Sequence, residues 1–504
     1  MTKNWKRLLI VTLCATALLA ACSGGKEKEA AAGGTYDENA AAEISWLNIL
    51  HTASPPTDTI TNKLQENTNT TIKFSWIPDA SKEERINTSL ASDSLADMVT
   101  LTMMENSSVR NALKSGMFWE VEDYLDDYPN LKEISAEMRA SASIEGKLYG
   151  VPFQKDLARN GVVIRQDWLD KLGLDVPTTT DELMAVAKAF TLDDPDGNGK
   201  ADTTGFVDRS DLIYGAFKTL GSYMGVPNKW AVDKSGKMTP EFDTEAYVET
   251  MDYMKELYDN SFINKDFAVT AKTDQQQNFA QGKAGIYVGA LFDSKNLLNM
   301  AKDIQDGMEL VLVNNITSTG KEEDRAIWAG NNGIGGLLSF PKSEVKDEAE
   351  LKRILKFVDD LMTEESYALM TYGVEDVHYT VDDDRAATIT DTPLWQQEVQ
   401  PFASSRPNET GFEIHDADPL KQEADRLIAE NAEFAVMNPA YALESETNTA
   451  QGSELEKIVT DATYKYILGE IKLADFEKAI ENWKSSGGQT IITEYEAAYK
   501  ELNK

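Results

Sequence analysis

The sequence predicts an α/β protein of two lobes, on three observations. Residues 44–101 alternate short apolar runs with helical patterns. Long amphipathic helices interrupt and follow that alternation, and 504 residues with 41% hydrophobic content exceed what a single core usually holds. "ISWLNIL" is a buried strand closed by the turn signal Pro55-Pro56. "TDTITNKLQENTNTTIKFSWIP" reads as a helix and then a strand; "KEERINTSLASDSLADMVTL" is a helix with another strand opening at Met98. This β–α–β–α–β order gives a mainly parallel, helix-covered sheet. Further on, "TTTDELMAVAKAFT" opens on a threonine cap with acids in its first turn. "TEAYVETMDYMKELYDN", "AELKRILKFVDDLMTEESYALMTYG" and the run from Ile467 to Lys504 are helical too, and no internal repeat is found.

Composition narrows the function. A net charge of −36 leaves nothing to neutralise nucleic-acid phosphates and disfavours docking flat on an anionic membrane. Three histidines, His51, His378 and His415, leave little for a zinc or acid–base centre. No Gly-x-Ser-x-Gly elbow, Walker loop or His-Glu-x-x-His is present. Acidic pairs such as Glu122/Asp123 and Glu375/Asp376 are sequence neighbours, which does not face two carboxyls across a glycosidic bond.

The N-terminus reads as a secretion signal over residues 1–21: Lys3, Lys6 and Arg7 precede an apolar run from Leu8 to Ala21 too short to span a bilayer comfortably. It closes on Leu19-Ala20-Ala21-Cys22, which resembles the bacterial lipobox whose cysteine is lipidated; the alternative is an ordinary signal with a chance cysteine. Removal would take three positive charges, shifting −36 to −39, and would leave Cys22 as the sole cysteine, without an internal disulfide. Residues 22–43, rich in Ala, Gly, Lys and Glu, form a flexible tether.

"DDPDGNGKADTTG", residues 193–205, is the stretch most like a metal cassette. Asp194, Asp196 and Asn198 fall at positions one, three and five of an EF-hand loop, Lys200 would offer its carbonyl and Asp202 stands at position nine. The twelfth position, normally a bidentate glutamate, is Gly205. A calcium switch is therefore disfavoured, and filled oxygen ligation without histidine disfavours catalysis. A structural Ca2+ and a hydrated acidic turn are the two readings left.

In order along the chain, "LASDSLADMV", "GKLYGVPF", "IRQDWLDKLGLDVPTTTDEL", the Asp-rich loop, "FAQGKAGIYVGA", "YGVEDVHYT" and Gly-Gly-x-x-Ile-x-x-x-Tyr-x-x-Ala-Tyr at Gly487–Tyr499 resemble family 1 of the extracellular solute-binding lipoproteins of bacterial ABC sugar importers, in its large Gram-positive oligosaccharide-binding subgroup. The resemblance runs from about residue 44 to the C-terminus. It implies a type II periplasmic-binding-protein-like fold with a hinge and a helix-rich second lobe: 44–157 plus 310–360 as lobe one, 158–309 plus 361–504 as lobe two. It also implies a structural calcium in the Asp-rich loop.

Under that resemblance the aromatic residues are candidate sugar platforms, since a ring face packs on the apolar face of a pyranose. Trp168 and Trp76 read as core. Trp328, followed by Gly and Asn where the chain would return to lobe one, is a cleft candidate. So are Phe292 in "YVGALFDSK", though the family's Gly-Pro-Trp is missing there, and Phe153 and Gln154 beside the expected hinge. Glu375, His378 and Tyr379 either bind sugar hydroxyls or form a polar turn. His51 follows the first strand, where open α/β sheets meet ligands.

The expected function is non-enzymatic: a monomer, lipid-anchored outside the cell, that captures an oligosaccharide between its lobes and delivers it to ABC permease subunits. The alternatives are a secreted polysaccharide-degrading enzyme and a ligand-sensing lipoprotein.

Overall fold

The structure, a computed structural model, describes residues 41–52, 54–104, 106–402, 406–407 and 412–503. Cys22, the signal segment and most of the tether lie outside the described residues.

Two sheets organise two lobes. The first runs β2-β1-β3-β12-β4, from β1 (Ala42–Leu50), β2 (Thr70–Pro78), β3 (Met98–Leu101), β4 (Val151–Gln154) and β12 (Ile334–Ser339). β1, β2 and β3 are parallel, β2 and β3 being reached through the crossover helices Asp58–Thr68 and Lys82–Ser92. β12 enters antiparallel between β3 and β4. The second sheet runs β10-β5-β9-β6, from β5 (Asn160–Arg165), β6 (Thr204–Val207), β9 (Ala284–Ala290) and β10 (Leu310–Val313). β7 (Trp230–Val232) and β8 (Met238–Pro240) form a hairpin, and β11 (Ile327–Trp328) pairs in parallel with β16 (Ala435–Val436). β13 (Tyr379–Val381), β14 (Ala386–Ile389) and β15 (His415–Asp416) make a small third sheet.

Each lobe has its own core. Trp46, Phe118, Phe153, Phe340 and Phe357 are enclosed in the first. Trp168, Phe190 and Phe206 are enclosed in the second, whose long helices Glu245–Asp259 and Glu446–Ile467 make it helix-rich. Trp168 packs edge-on against Phe190, and Trp76 is half-buried, stacked on Phe74 at 4.8 Å. Both are core residues, as their strand and helix settings suggested. No described helix is long and apolar enough to cross a membrane.

The path between lobes differs from the boundaries expected at 310 and 360. Leu310–Val313 pairs antiparallel with β5, and Val313 packs in the second core, so this segment lies with the second sheet. The chain returns to the first sheet only at Ile334. Beyond 360 it stays there: Leu369, Met370, Val399 and Phe402 all pack in the first core. Helix Pro419–Asn431 then packs on the second lobe through Ala424, Leu427 and Ile428.

The segments that pass between the lobes are fastened side by side. Asn332 and Asn438 exchange two hydrogen bonds, Nδ2 to the Asn438 carbonyl at 3.0 Å and the Asn438 N–H to Oδ1 at 2.9 Å. The Asn228 amide donates to the carbonyls of Ala329 and Val436. Asn331 and Asn332 take left-handed backbone angles (φ 48 and 51), a conformation asparagine tolerates better than most residues.

Candidate functional site

A pocket of ≈390 Å³ lies on the outside of the first lobe, and a smaller one of ≈140 Å³ lies where the chain passes between lobes. The smaller is lined by Lys155, Asp156, Arg159, Tyr214, Trp328 and Gly335, among others. Its position between two α/β sheets, at the junction where both lobes contribute walls, marks it as the candidate ligand site.

The second lobe builds most of this site, through helix Ala216–Tyr223. Thr219 on that helix accepts the indole N–H of Trp328 at 3.1 Å and an Asn160 amide N–H at 3.2 Å. Ser222, one turn on, accepts the Trp328 backbone N–H at 3.1 Å. The loop before the helix is anchored by Asp208, whose Oδ1 accepts the Ala216 N–H at 3.0 Å. Gly215 is required there, because a Cβ would come within 2.7 Å of that oxygen. Complete burial pushes the Asp208 carboxyl up to about 7, against the pull of the Arg209 and Ala216 N–H groups. So held, the loop sets Tyr214 against Trp328, ring centroids 5.6 Å apart and crossed at 61°. The Arg159 guanidinium lies 5.9 Å from the Tyr214 ring centre and 5.7 Å from that of Phe292.

The first lobe supplies a floor. Gly335 lines the pocket, and a Cβ there would stand 2.6 Å from the ring of Phe153. Phe153 is therefore a fully enclosed core residue beneath the floor, and its side chain is not presented to the cleft. Gln154, half-buried, ends β4 opposite Ile334, next to Lys155. His51 stands at the end of β1, 3.5 Å from Asp79, outside the pocket lining. Burial lowers its imidazole, Asp79 opposes that, and Lys82 and Lys155 lower it further. Burial raises the Asp156 carboxyl in spite of the nearby Arg159.

Glu375, His378 and Tyr379 do not join this group. Glu375 and Tyr379 line the outer pocket with Lys63, Glu364 and Arg385. His378 is wholly enclosed: its Nδ1 accepts the Val374 N–H at 3.0 Å and its Nε2 meets Glu398 at 3.2 Å. With Nδ1 accepting, the proton sits on Nε2 and faces the carboxylate. The residue ties the turn to helix Thr392–Glu398, the polar-turn alternative. Sequence reading overlooked Lys155, Asp156, Arg159, Asn160 and Tyr214. The signal available was "QKDLARNG", two cations directly after a strand in an acidic chain.

The Asp-rich loop lies elsewhere on the second lobe. Asn198 donates to Asp196 at 2.7 Å and to Asp202 at 3.0 Å, while Asp194 Oδ2 accepts the Gly199 N–H at 3.1 Å. Asp194 Oδ1 is shielded from solvent and has no hydrogen-bond donor among the described residues. Among the described residues no three His, Cys, Asp or Glu groups are gathered at metal-binding geometry. The convergence here runs through the Asn198 amide. The structure also explains the missing glutamate: a Cβ on Gly205 would meet the Ala187 backbone at 2.6 Å, since the strand packs directly on helix Thr180–Leu192.

Two α/β lobes with a pocket at their crossing define a type II binding protein, in which ligand sits between lobes that swing about shared segments. The chain belongs to the bacterial extracellular solute-binding proteins, whose profile matches residues 53–367. It is 45% identical over 504 residues to the polygalacturonan/rhamnogalacturonan-binding protein YtcQ of Bacillus subtilis, covering 99% of this chain and 100% of that one. It is 30% identical to lipoprotein LipO of the same organism, covering 99% of each. In fold it resembles the ABC-transporter substrate-binding protein FusA of Streptococcus pneumoniae, solved as an EF-hand mutant with fructo-nystose: TM-score 0.69, 19% identity, 92% of this chain and 99% of that one.

Proposed function

We propose that the chain captures an oligosaccharide in the pocket between its lobes, outside the cell, and passes it to the permease subunits of an ABC importer. The observation that carries this reading is the exposed Tyr214 ring set edge-on against the buried Trp328 at the lobe junction, an apolar surface for a pyranose beside polar groups for its hydroxyls. The likeness to YtcQ points to pectic chains of the galacturonan kind as the ligand class. Among the described residues Asp156 is the one carboxyl lining the pocket, whereas hydrolysis of a glycosidic bond uses two, which supports binding without cleavage. The likeness to LipO and the Leu19–Cys22 motif support a lipid anchor on Cys22.

Calcium at the Asp-rich loop belongs to the same reading. Asp194, Asp196, Asn198 and Asp202 with the Lys200 carbonyl form a hard-oxygen set suited to Ca2+. The orphaned Asp194 oxygen supports the fit, and the ion would staple the loop away from the pocket. The deciding experiment is titration of the purified chain with neutral and pectic oligosaccharides, following melting temperature and products together. Ligand-induced stabilisation with intact sugar recovered supports a receptor; release of shortened sugar without stabilisation overturns it in favour of an enzyme.

A further inference from the structure

In this acidic chain several arginines with buried side chains are matched to carboxylates: Arg110 to Glu444, Arg165 to Asp167, Arg325 to Glu430. Arg159, half-buried, is not. Among the described residues its side chain has neither a hydrogen bond nor an ion pair, although it lines the interlobe pocket. Its neighbours there are two rings, Tyr214 and Phe292, each with its centroid within 6 Å. Asp156, the carboxyl of the same pocket, is outside ion-pair distance, and its burial favours the neutral acid.

We propose that Arg159 is the residue by which the site selects sugars bearing a free carboxylate, accepting a hexuronate and rejecting its methyl ester. This rests on the oligosaccharide reading above and adds what the site demands of the sugar. A guanidinium presents paired N–H donors in a plane that matches a carboxylate edge to edge. The Tyr214 and Phe292 rings beside it, at 5.9 and 5.7 Å, attract the cation without using its N–H donors, which stay available to a ligand. A methyl ester removes the charge and replaces one acceptor with a bulky ether, so the paired donors are left short of a partner. The rings serve the same pyranose through its C–H face, so stacking is common to acid and ester while the guanidinium contact is not.

The test is isothermal titration of the full chain, in detergent micelles, with three probes: α-1,4-linked trigalacturonate, its methyl ester and the neutral trigalactoside. The wild type is expected to bind the free acid about tenfold to a hundredfold more tightly than the ester. Arg159→Gln should bring that ratio close to one while retaining affinity for the ester. Arg159→Lys, which keeps the charge but loses the fork, should fall between them. Unchanged melting temperatures in the absence of sugar would show that the variants fold. An acid-to-ester ratio that survives Arg159→Gln, or a wild type that binds acid and ester equally, overturns the assignment and leaves the pectic reading standing. A wild type that binds only the neutral sugar overturns both.

Discussion

Arg110 and Glu444 join the two lobes through a charged contact, the Arg110 Nε donating to Glu444 at 2.9 Å. Arg110 lies on helix Ser107–Lys114 in the first lobe, almost wholly buried, and also donates to the Met104 carbonyl. Glu444 immediately precedes Ser445, which caps helix Glu446–Ile467 of the second lobe. Lys114 approaches the same carboxylate at 3.4 Å.

Removing Glu444 therefore strands a buried guanidinium. Glu444→Ala is expected to lower stability by about 1–3 kcal/mol, less than for a fully enclosed pair because the carboxylate is partly exposed. Arg110→Met together with Glu444→Ala should recover part of the loss. Urea unfolding measures both, and a double variant no better than Glu444→Ala alone contradicts the account.

Trp328 is both packed and positioned. Trp328→Ala should reduce oligosaccharide affinity by about tenfold or more and stability by about 3–5 kcal/mol. Trp328→Phe keeps a ring but leaves Thr219 without the indole donor, and should cost less on both counts. Calorimetry and thermal melting separate the effects; unchanged affinity in a folded Trp328→Ala would place the sugar elsewhere.

Chelation of calcium should lower the melting temperature by about 5 °C and leave sugar affinity intact. Asp194→Ala should reproduce the drop and make the chelator ineffective. Gly205→Glu, which completes the loop by sequence, should destabilise the protein because its Cβ collides with Ala187. A Gly205→Glu variant with higher melting temperature and tighter calcium binding would refute that packing argument.

Acid sensitivity should trace partly to Glu398. Burial opposes its ionisation, but hydrogen bonds from Thr57, Thr59 and His378 outweigh burial and hold its carboxyl below the usual glutamate range. With the folded value depressed, the contribution is complete above the unfolded value and is lost as pH falls below the ordinary glutamate range and through the folded value. Glu398→Gln should be less stable at pH 7 and lose less on acidification. Parallel stability–pH curves for wild type and variant would remove Glu398 from the account.

What the sequence made readable was local. The strands from Ala42 to Leu101 and the threonine-capped helix at Thr180 follow from spacing within a few residues, and the structure has them. Trp328 stood out because glycine and asparagine follow it, and it does line the pocket. The enclosure of His378 was not readable in this way. It depends on Glu398, which in turn binds Thr57, a residue 341 positions away. Tyr214 was missed for the same reason: it is not notable until the fold sets it against Trp328, whereas Arg159 left a local trace in the paired cations of "QKDLARNG".

The division of the pocket's walls sets an order of events. Trp328, Tyr214 and Arg159 all ride on the second lobe, Trp328 fixed by helix Ala216–Tyr223, whereas the first lobe offers a glycine floor and Lys155. A ligand can thus be recognised by one half of the molecule before the other arrives. Substitutions in the second lobe should alter which sugar is taken, and those in the first how firmly the jaw shuts on it.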